Sequence, residues 1–176
     1  MKPAAPGHLT LGRLPTPIGE ALLVVDDEGS LRALDFAEHE ERMRHRLELH
    51  YGVDVAVEGG GVPAGLRGRF DAYLGGDLGQ LDAIECRTGG TPFQRRVWAA
   101  LREIPVGQTT SYGALASRIG SPRAVRAVGL ANGANPIGIV VPCHRVIGAN
   151  GHLTGYGGGL DRKRWLLQHE GALLDG

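Results

Sequence analysis

The residues that could do chemistry gather around one thiol. Cys143 stands in the run Pro142-Cys143-His144-Arg145-Val146, directly after the apolar stretch Ile137 to Val141. Proline restricts its own φ and pushes the residue before it into an extended shape, so the pattern predicts a short buried strand that delivers Cys143 at its end. A thiolate is a strong nucleophile, and histidine and arginine are neighbours of the kind that lower a thiol pKa from about 8.5 toward neutrality. Gly148, Gly151, Gly155 and Gly157-Gly158-Gly159 follow; residues without a Cβ let a planar ring or a backbone come close. Two readings of Cys143 stand at this point, a small buried hydrophobe and an activated nucleophile. The other cysteine is Cys86. Two thiols so far apart make neither a disulfide framework nor a CxxC metal site, so free thiols and no metal are expected.

The elements that must position this group begin after Thr88-Gly89-Gly90. Thr91 is placed as an N-cap with Pro92 at the first helical position, and the helix is expected to run to Ile104. A short helix from Tyr112 to Ile119 is stopped by Gly120-Ser121-Pro122, and a second runs from there through Arg123, Arg126 and Leu130 to Gly133. Two short helices joined by such a turn form either a helix-turn-helix or an ordinary pair of core helices. Upstream, Ala21 to Val25 and Leu31 to Leu34 flank Asp26 to Ser30 and read as a hairpin. Glu38 to Tyr51 reads as a charged amphipathic helix, with Met43, Leu47 and Leu49 to Tyr51 near helical spacing and His39, His45 and His50 exposed. Val53 to Val57 is a candidate third strand, Gly59 to Gly61 a loop, and Leu66 to Leu74 a helix ended by Gly75-Gly76. The expected fold is α+β. Residues 1–88 form a small α/β scaffold with a short antiparallel sheet, and residues 89–176 form a mostly helical domain with a winged helix-turn-helix.

With 176 residues, 42% hydrophobic and 22% charged, the chain can build a real core. It has no apolar run of about 20 residues and no signal-like start, so a cytoplasmic protein without a membrane partner is expected. The net charge of zero conceals two unlike halves. Residues 1–90 carry nine Lys and Arg against fifteen Asp and Glu, a balance of −6, while residues 91–176 carry ten against four, a balance of +6. A positive half can supply phosphate contacts to nucleic acid, and it can equally complement the acidic half.

The C-terminal half resembles the O6-alkylguanine-DNA alkyltransferases, the methylated-DNA–protein-cysteine methyltransferases. Besides Pro142 to Val146, the likeness takes in Pro105-Val106-Gly107, Thr110-Ser111-Tyr112-Gly113, Arg123 to Gly129, Asn135-Pro136, Tyr156 with Gly158-Gly159-Leu160, Trp165-Leu166-Leu167 and His169-Glu170-Gly171. The resemblance implies DNA repair by one irreversible transfer of an alkyl group from O6 of guanine in duplex DNA, with minor-groove binding and nucleotide flipping. Cys143 would be the nucleophile, deprotonated through a water held by His144, which Glu170 orients; Tyr112 would protonate the leaving guanine and help rotate the nucleotide. Arg126 would fill the vacated place in the base stack, with Arg123, Ala127, Gly129 and Ala131 on the DNA-binding helix. Asn135 would be a hinge, and Val146, Tyr156, Gly157 and Gly158 would line the base pocket. No cofactor and no obligate protein partner are implied. The chemistry agrees, since a base inside a duplex must be extruded before reaction and displacement at an alkyl carbon suits a thiolate paired with an acid for the leaving group.

Residues 1–85 lack the cysteines of a zinc-binding or methyl-sensing N-terminal region, and Gly157 stands where some relatives carry a hydroxyl. Three other readings are open to such a chain. An alkyltransferase-like lesion binder lacks the nucleophile. A winged-helix regulator needs several polar base-reading side chains, whereas Ala124, Ala127, Gly129 and Ala131 make this helix small-faced. A cysteine hydrolase needs an oxyanion hole and a substrate cleft, and the sequence identifies neither.

Overall fold

A computed structural model describes residues 5–173. The chain divides into two compact units, Met1–Gly90 and Thr91–Gly176.

In the first unit, β1 (His8–Thr16), β2 (Gly19–Asp26) and β3 (Leu31–Phe36) form antiparallel neighbours, and β4 (Ala56–Gly59) joins β1 in parallel, giving the order β3-β2-β1-β4. The expected hairpin is β2 and β3. The sequence reading missed β1, the longest strand, because Gly12 and Pro15 interrupt its alternation; Leu9, Leu11 and Leu14 nonetheless point inward. The sheet is therefore antiparallel over three strands and parallel at the fourth, which falls at Ala56–Gly59 rather than Val53 to Val57 because residues 56–59 are the ones that pair with His8 to Leu11 of β1. Helix α1 (Glu40–Tyr51) lays Met43 and Leu47 on Leu9, Leu11, Leu22, Val24 and Ala33. Leu49, expected on that stripe, faces outward, and His39 and His50 are half-buried rather than exposed. A Cβ on Gly89 would stand 2.7 Å from the His50 Cβ, so the chain passes too close there for any side chain. Helix α2 (Ala64–Leu74) buries Phe70 and Tyr73.

The second unit opens on α3 (Pro92–Arg102), whose Thr91 side chain accepts from the Gln94 amide while the Gln94 side chain accepts from the Thr91 amide. This reciprocal cap satisfies two of the donors that a helix start leaves without partners. Two-residue strand β5 (Thr110–Ser111) leads into α4 (Tyr112–Arg118), and Ser111 caps it by accepting from the Ala114 amide. Helix α5 (Val125–Gly133) follows a turn and starts later than expected. The predicted strand Ile137 to Val141 is instead a coiled turn. The amides of Val140 and Val141 bond the carbonyls of Gly138 and Ile137, and the Cys143 amide bonds Val141. Ile139 adopts φ 67, a strained value for a β-branched residue that its burial holds in place. Cys143–Arg145 form one 3₁₀ turn before strand β6 (Val146–Ile147), which pairs in parallel with β5, and α6 (Leu160–His169) closes the unit.

Candidate active site

Asn135 decides the shape of the turn before the thiol. Its Nδ2 donates to the Val141 carbonyl at 2.8 Å and its Oδ1 accepts from the Ile137 amide at 3.0 Å. One buried side chain thus satisfies a backbone group at each end of the 137–141 segment, while the amides of Val140 and Val141 bond carbonyls within it. The residue expected as a hinge is a clamp across the loop.

Helix α6 and its C-terminal cap Glu170 place Lys163, Leu166, Leu167 and Glu170 at the i, i+3, i+4, i+7 spacing of an inward stripe, and all four are buried. Glu170 Oε1 lies 3.0 Å from His144 Nε2 and 2.9 Å from Arg145 Nε, while its Oε2 accepts from Arg145 Nη2 at 3.0 Å. Arg145 Nη1 also donates to the Ile104 carbonyl at 2.7 Å. Burial by itself would raise the Glu170 pKa, but His144 and Arg145 outweigh it and hold the carboxyl far below the ordinary carboxylate range. Burial pushes the His144 pKa below its ordinary value despite the Glu170 carboxylate, and the charges of Arg145 and Lys163 act in the same downward direction. A neutral His144 must then donate Nε2–H to the carboxylate, which leaves Nδ1 as its basic atom. Nδ1 is buried and no protein group engages it.

Lys163 was not foreseen. Its Nζ donates to the carbonyls of Val146 at 2.6 Å, Thr154 at 2.8 Å and Gly155 at 3.4 Å. Burial lowers its pKa to about 8, with the Cys143 charge opposing that shift. The available signal was a pair of charged residues, Lys163 and Glu170, on the apolar stripe of one helix.

Tyr112, Gly129, Asn132, Gly133, Cys143, Gly155, Tyr156 and Gly157 line a cavity of about 340 Å³, near the lower end of small-ligand sites, about 300 Å³. Tyr112 Oη lies 3.0 Å from Thr154 Oγ1, and the Tyr156 ring meets His144 edge-on at 6.5 Å. Of the expected pocket residues, Tyr156 and Gly157 form wall. Val146 is wholly buried with its carbonyl on Lys163, and Gly158 offers its carbonyl to Arg162. Arg123, in the turn before α5, and Arg126 and Ala127 on the helix are exposed, and Gly129 faces the cavity. Ala131 is a correction. It is buried, with its carbonyl taken by Trp98 Nε1 at 2.8 Å, because positions 128, 131 and 132 form the inward face of the helix.

A buried thiol in a cavity wall, backed by a histidine and carboxylate and bordered by a helix pair, is the arrangement of a DNA-directed transferase that uses its own cysteine. Residues 92–172 match the model of the 6-O-methylguanine DNA methyltransferase DNA-binding domain. The chain is 52% identical over 163 residues to a methylated-DNA–protein-cysteine methyltransferase of Salmonella typhimurium, covering 92% of this chain and 95% of that protein. A crystal structure of the Mycobacterium tuberculosis O6-methylguanine methyltransferase superimposes with a TM-score of 0.76 at 43% identity, over 93% of each chain. A structure of that organism's OGT in complex with DNA gives 0.74 at 43% identity, over 94% of this chain and 93% of that one. The chain belongs to the methylated-DNA–protein-cysteine methyltransferase family.

Proposed function

We propose that this protein repairs DNA by moving an alkyl group from O6 of guanine in a duplex onto Cys143, once per molecule. The observation that carries the reading is Cys143 in the cavity wall, beside a neutral His144 whose far nitrogen is held by Glu170. His144 Nδ1 takes the thiol proton through a bridging water. The thiolate attacks the alkyl carbon, the S–C bond forms as the C–O6 bond breaks, and the electron pair leaves on guanine, to which Tyr112 supplies a proton. A thioether has no easy reverse step, so no second turnover follows.

The second unit binds the DNA and the first acts as scaffold. Arg123, exposed in the turn before α5, and Arg126, exposed on that helix, meet the phosphates and the stack, with Arg126 filling the space of the extruded nucleotide. Among the described residues no helix is long and apolar enough to cross a membrane, and the protein acts in the cytoplasm on DNA.

Intact-mass spectrometry after incubation with a duplex containing O6-methylguanine tests this. The expected result is a gain of one methylene, mapped to Cys143, with product levelling off at one group per protein molecule. Sustained turnover, or an adduct elsewhere, overturns the reading.

A further inference from the structure

Lys163 is a buried ammonium that the transfer chemistry does not use, and its hydrogen bonds bind one loop to the active-site turn. Nζ donates to the Val146 carbonyl, just after that turn, and to the carbonyls of Thr154 and Gly155. Further back the same loop closes on itself. The Gly148 amide bonds the His152 carbonyl and the Gly151 amide bonds the Gly148 carbonyl, each at 2.9 Å. Thr154 therefore stands on fixed backbone, although its side chain is exposed.

Tyr112 is fixed from the other side. It is the first residue of α4, directly after the Ser111 cap, and its ring lies beside α5, where a Cβ on Gly129 would stand 3.8 Å from Cδ1. The two hydroxyls meet at 3.0 Å, with either able to donate. A phenol that hands its proton to a departing base gains negative charge on Oη, and its own donor is then spent, so Oη can only accept. The threonine hydroxyl carries a proton of its own to turn toward that oxygen. A hydrogen bond to an ionised oxygen is about twice as strong as a neutral one, so this contact strengthens as the base leaves and lowers the barrier.

We propose that Thr154 is a positioning residue for the transfer: held through its backbone by Lys163, it donates to Tyr112 Oη while the phenol protonates the leaving guanine. The proposal rests on the reading of Tyr112 as the acid. The S–C bond forms, the C–O6 bond breaks and the Tyr112 proton passes to guanine. The Thr154 proton stays on Oγ1, hydrogen-bonded to the phenolate until solvent returns a proton to Tyr112.

The test is single-turnover transfer from a duplex containing O6-methylguanine, read as the limiting rate and as the protein concentration that gives half of it. Thr154→Val keeps the branched shape and removes the hydroxyl. It is expected to lower the limiting rate about 3- to 10-fold, part of the effect of a hydrogen bond to a fully charged group, and to leave the half-saturating concentration unchanged. Thr154→Ser restores the hydroxyl and is expected to restore the rate. In a chain that already carries Tyr112→Phe, Thr154→Val is expected to cost nothing further, because the group it acts through is gone. Where Tyr112→Phe is too slow to measure, the contrast between Val and Ser decides. A full rate for Thr154→Val, a Ser variant as slow as the Val variant, or a further loss on top of Tyr112→Phe overturns the proposal and leaves Thr154 a residue of the loop. If Tyr112→Phe alone transfers at the full rate, the reading of Tyr112 as the acid falls and the proposal with it.

Discussion

Each unit buries an arginine against a carboxylate, and the two pairs serve different ends. In the first, Arg32 Nε donates to Asp26 Oδ2 at 2.8 Å, with both side chains 5% exposed. Asp26 Oδ1 accepts from the amides of Glu28 and Ser30, each at 3.0 Å, so the carboxylate organises the turn between β2 and β3. Arg32 also lies over the Tyr51 ring at 5.2 Å. Every partner is structural. In the second, Arg145 and Glu170 are as deeply buried, but the carboxylate also holds a histidine, and that histidine follows the thiol in sequence. Burying a charge pair is a weak source of stability by itself. The same device becomes chemical when one of its hydrogen bonds goes to a group that can take up a proton.

The largest expected effect separates chemistry from binding. Cys143→Ser should abolish transfer while duplex affinity stays within about threefold and still falls with salt, because affinity rests on phosphate contacts. Gel-shift titration beside the mass assay measures both, and a Ser variant that loses binding together with transfer would make Cys143 structural.

Next are the two pairs themselves. Glu170→Ala and Asp26→Ala each strand a buried arginine, and each should lose about 3–5 kcal/mol in denaturant titration. Protein that remains folded should keep its transfer rate when Asp26 is replaced and lose it when Glu170 is. Equal rates in the two variants would remove the distinction between the units.

Acid should separate the pairs without mutation. His144 has a folded pKa below its ordinary 6.5, so its contribution is present above 6.5 and lost as pH falls below that value. Glu170, depressed from 4.5, adds a second loss of the same sign below about 4.5. Asp26 is depressed from 3.8, burial opposing the shift and Arg32 and the turn amides driving it, so its loss begins only below that value. Hydrogen exchange should therefore show amides of 143–147 losing protection between pH 6.5 and 4.5 while those of 21–26 keep theirs. Simultaneous loss in both segments would argue against a neutral buried His144.

Arg126→Ala tests extrusion. It should slow repair in a duplex about tenfold and leave reaction with the free modified base unchanged, since only the duplex requires unstacking. Equal losses would make Arg126 a residue of the fold.

The smallest effect follows reaction. Adding a methyl group to a packed site costs about 1–3 kcal/mol, but Cys143 borders a cavity, which places the cost near about 1 kcal/mol. Methylated protein, verified by mass, should melt about 2–4 °C lower than unreacted protein. An unchanged melting temperature would show that the cavity absorbs the group completely.

Local pattern was enough for much of this molecule. The cap at Thr91 and Pro92, the helices at 92–102 and 112–118, and the hairpin around Asp26 to Ser30 were legible because hydrogen bonds and apolar spacing within a few residues decide them. The thiol and its basic neighbours were legible because their residue types are rare together. What lay beyond the sequence depends on partners far along the chain. Ile137 to Val141 has the composition of a strand, yet Asn135 satisfies its backbone and coils it. Whether Lys163 meets solvent or buried carbonyls depends on which side of α6 faces the rest of the unit, and the burial of Ala131 depends in the same way on α5. The ammonium of Lys163 became informative only when the tertiary structure removed it from water, because a charged group held away from solvent must be engaged by partners that the sequence does not show.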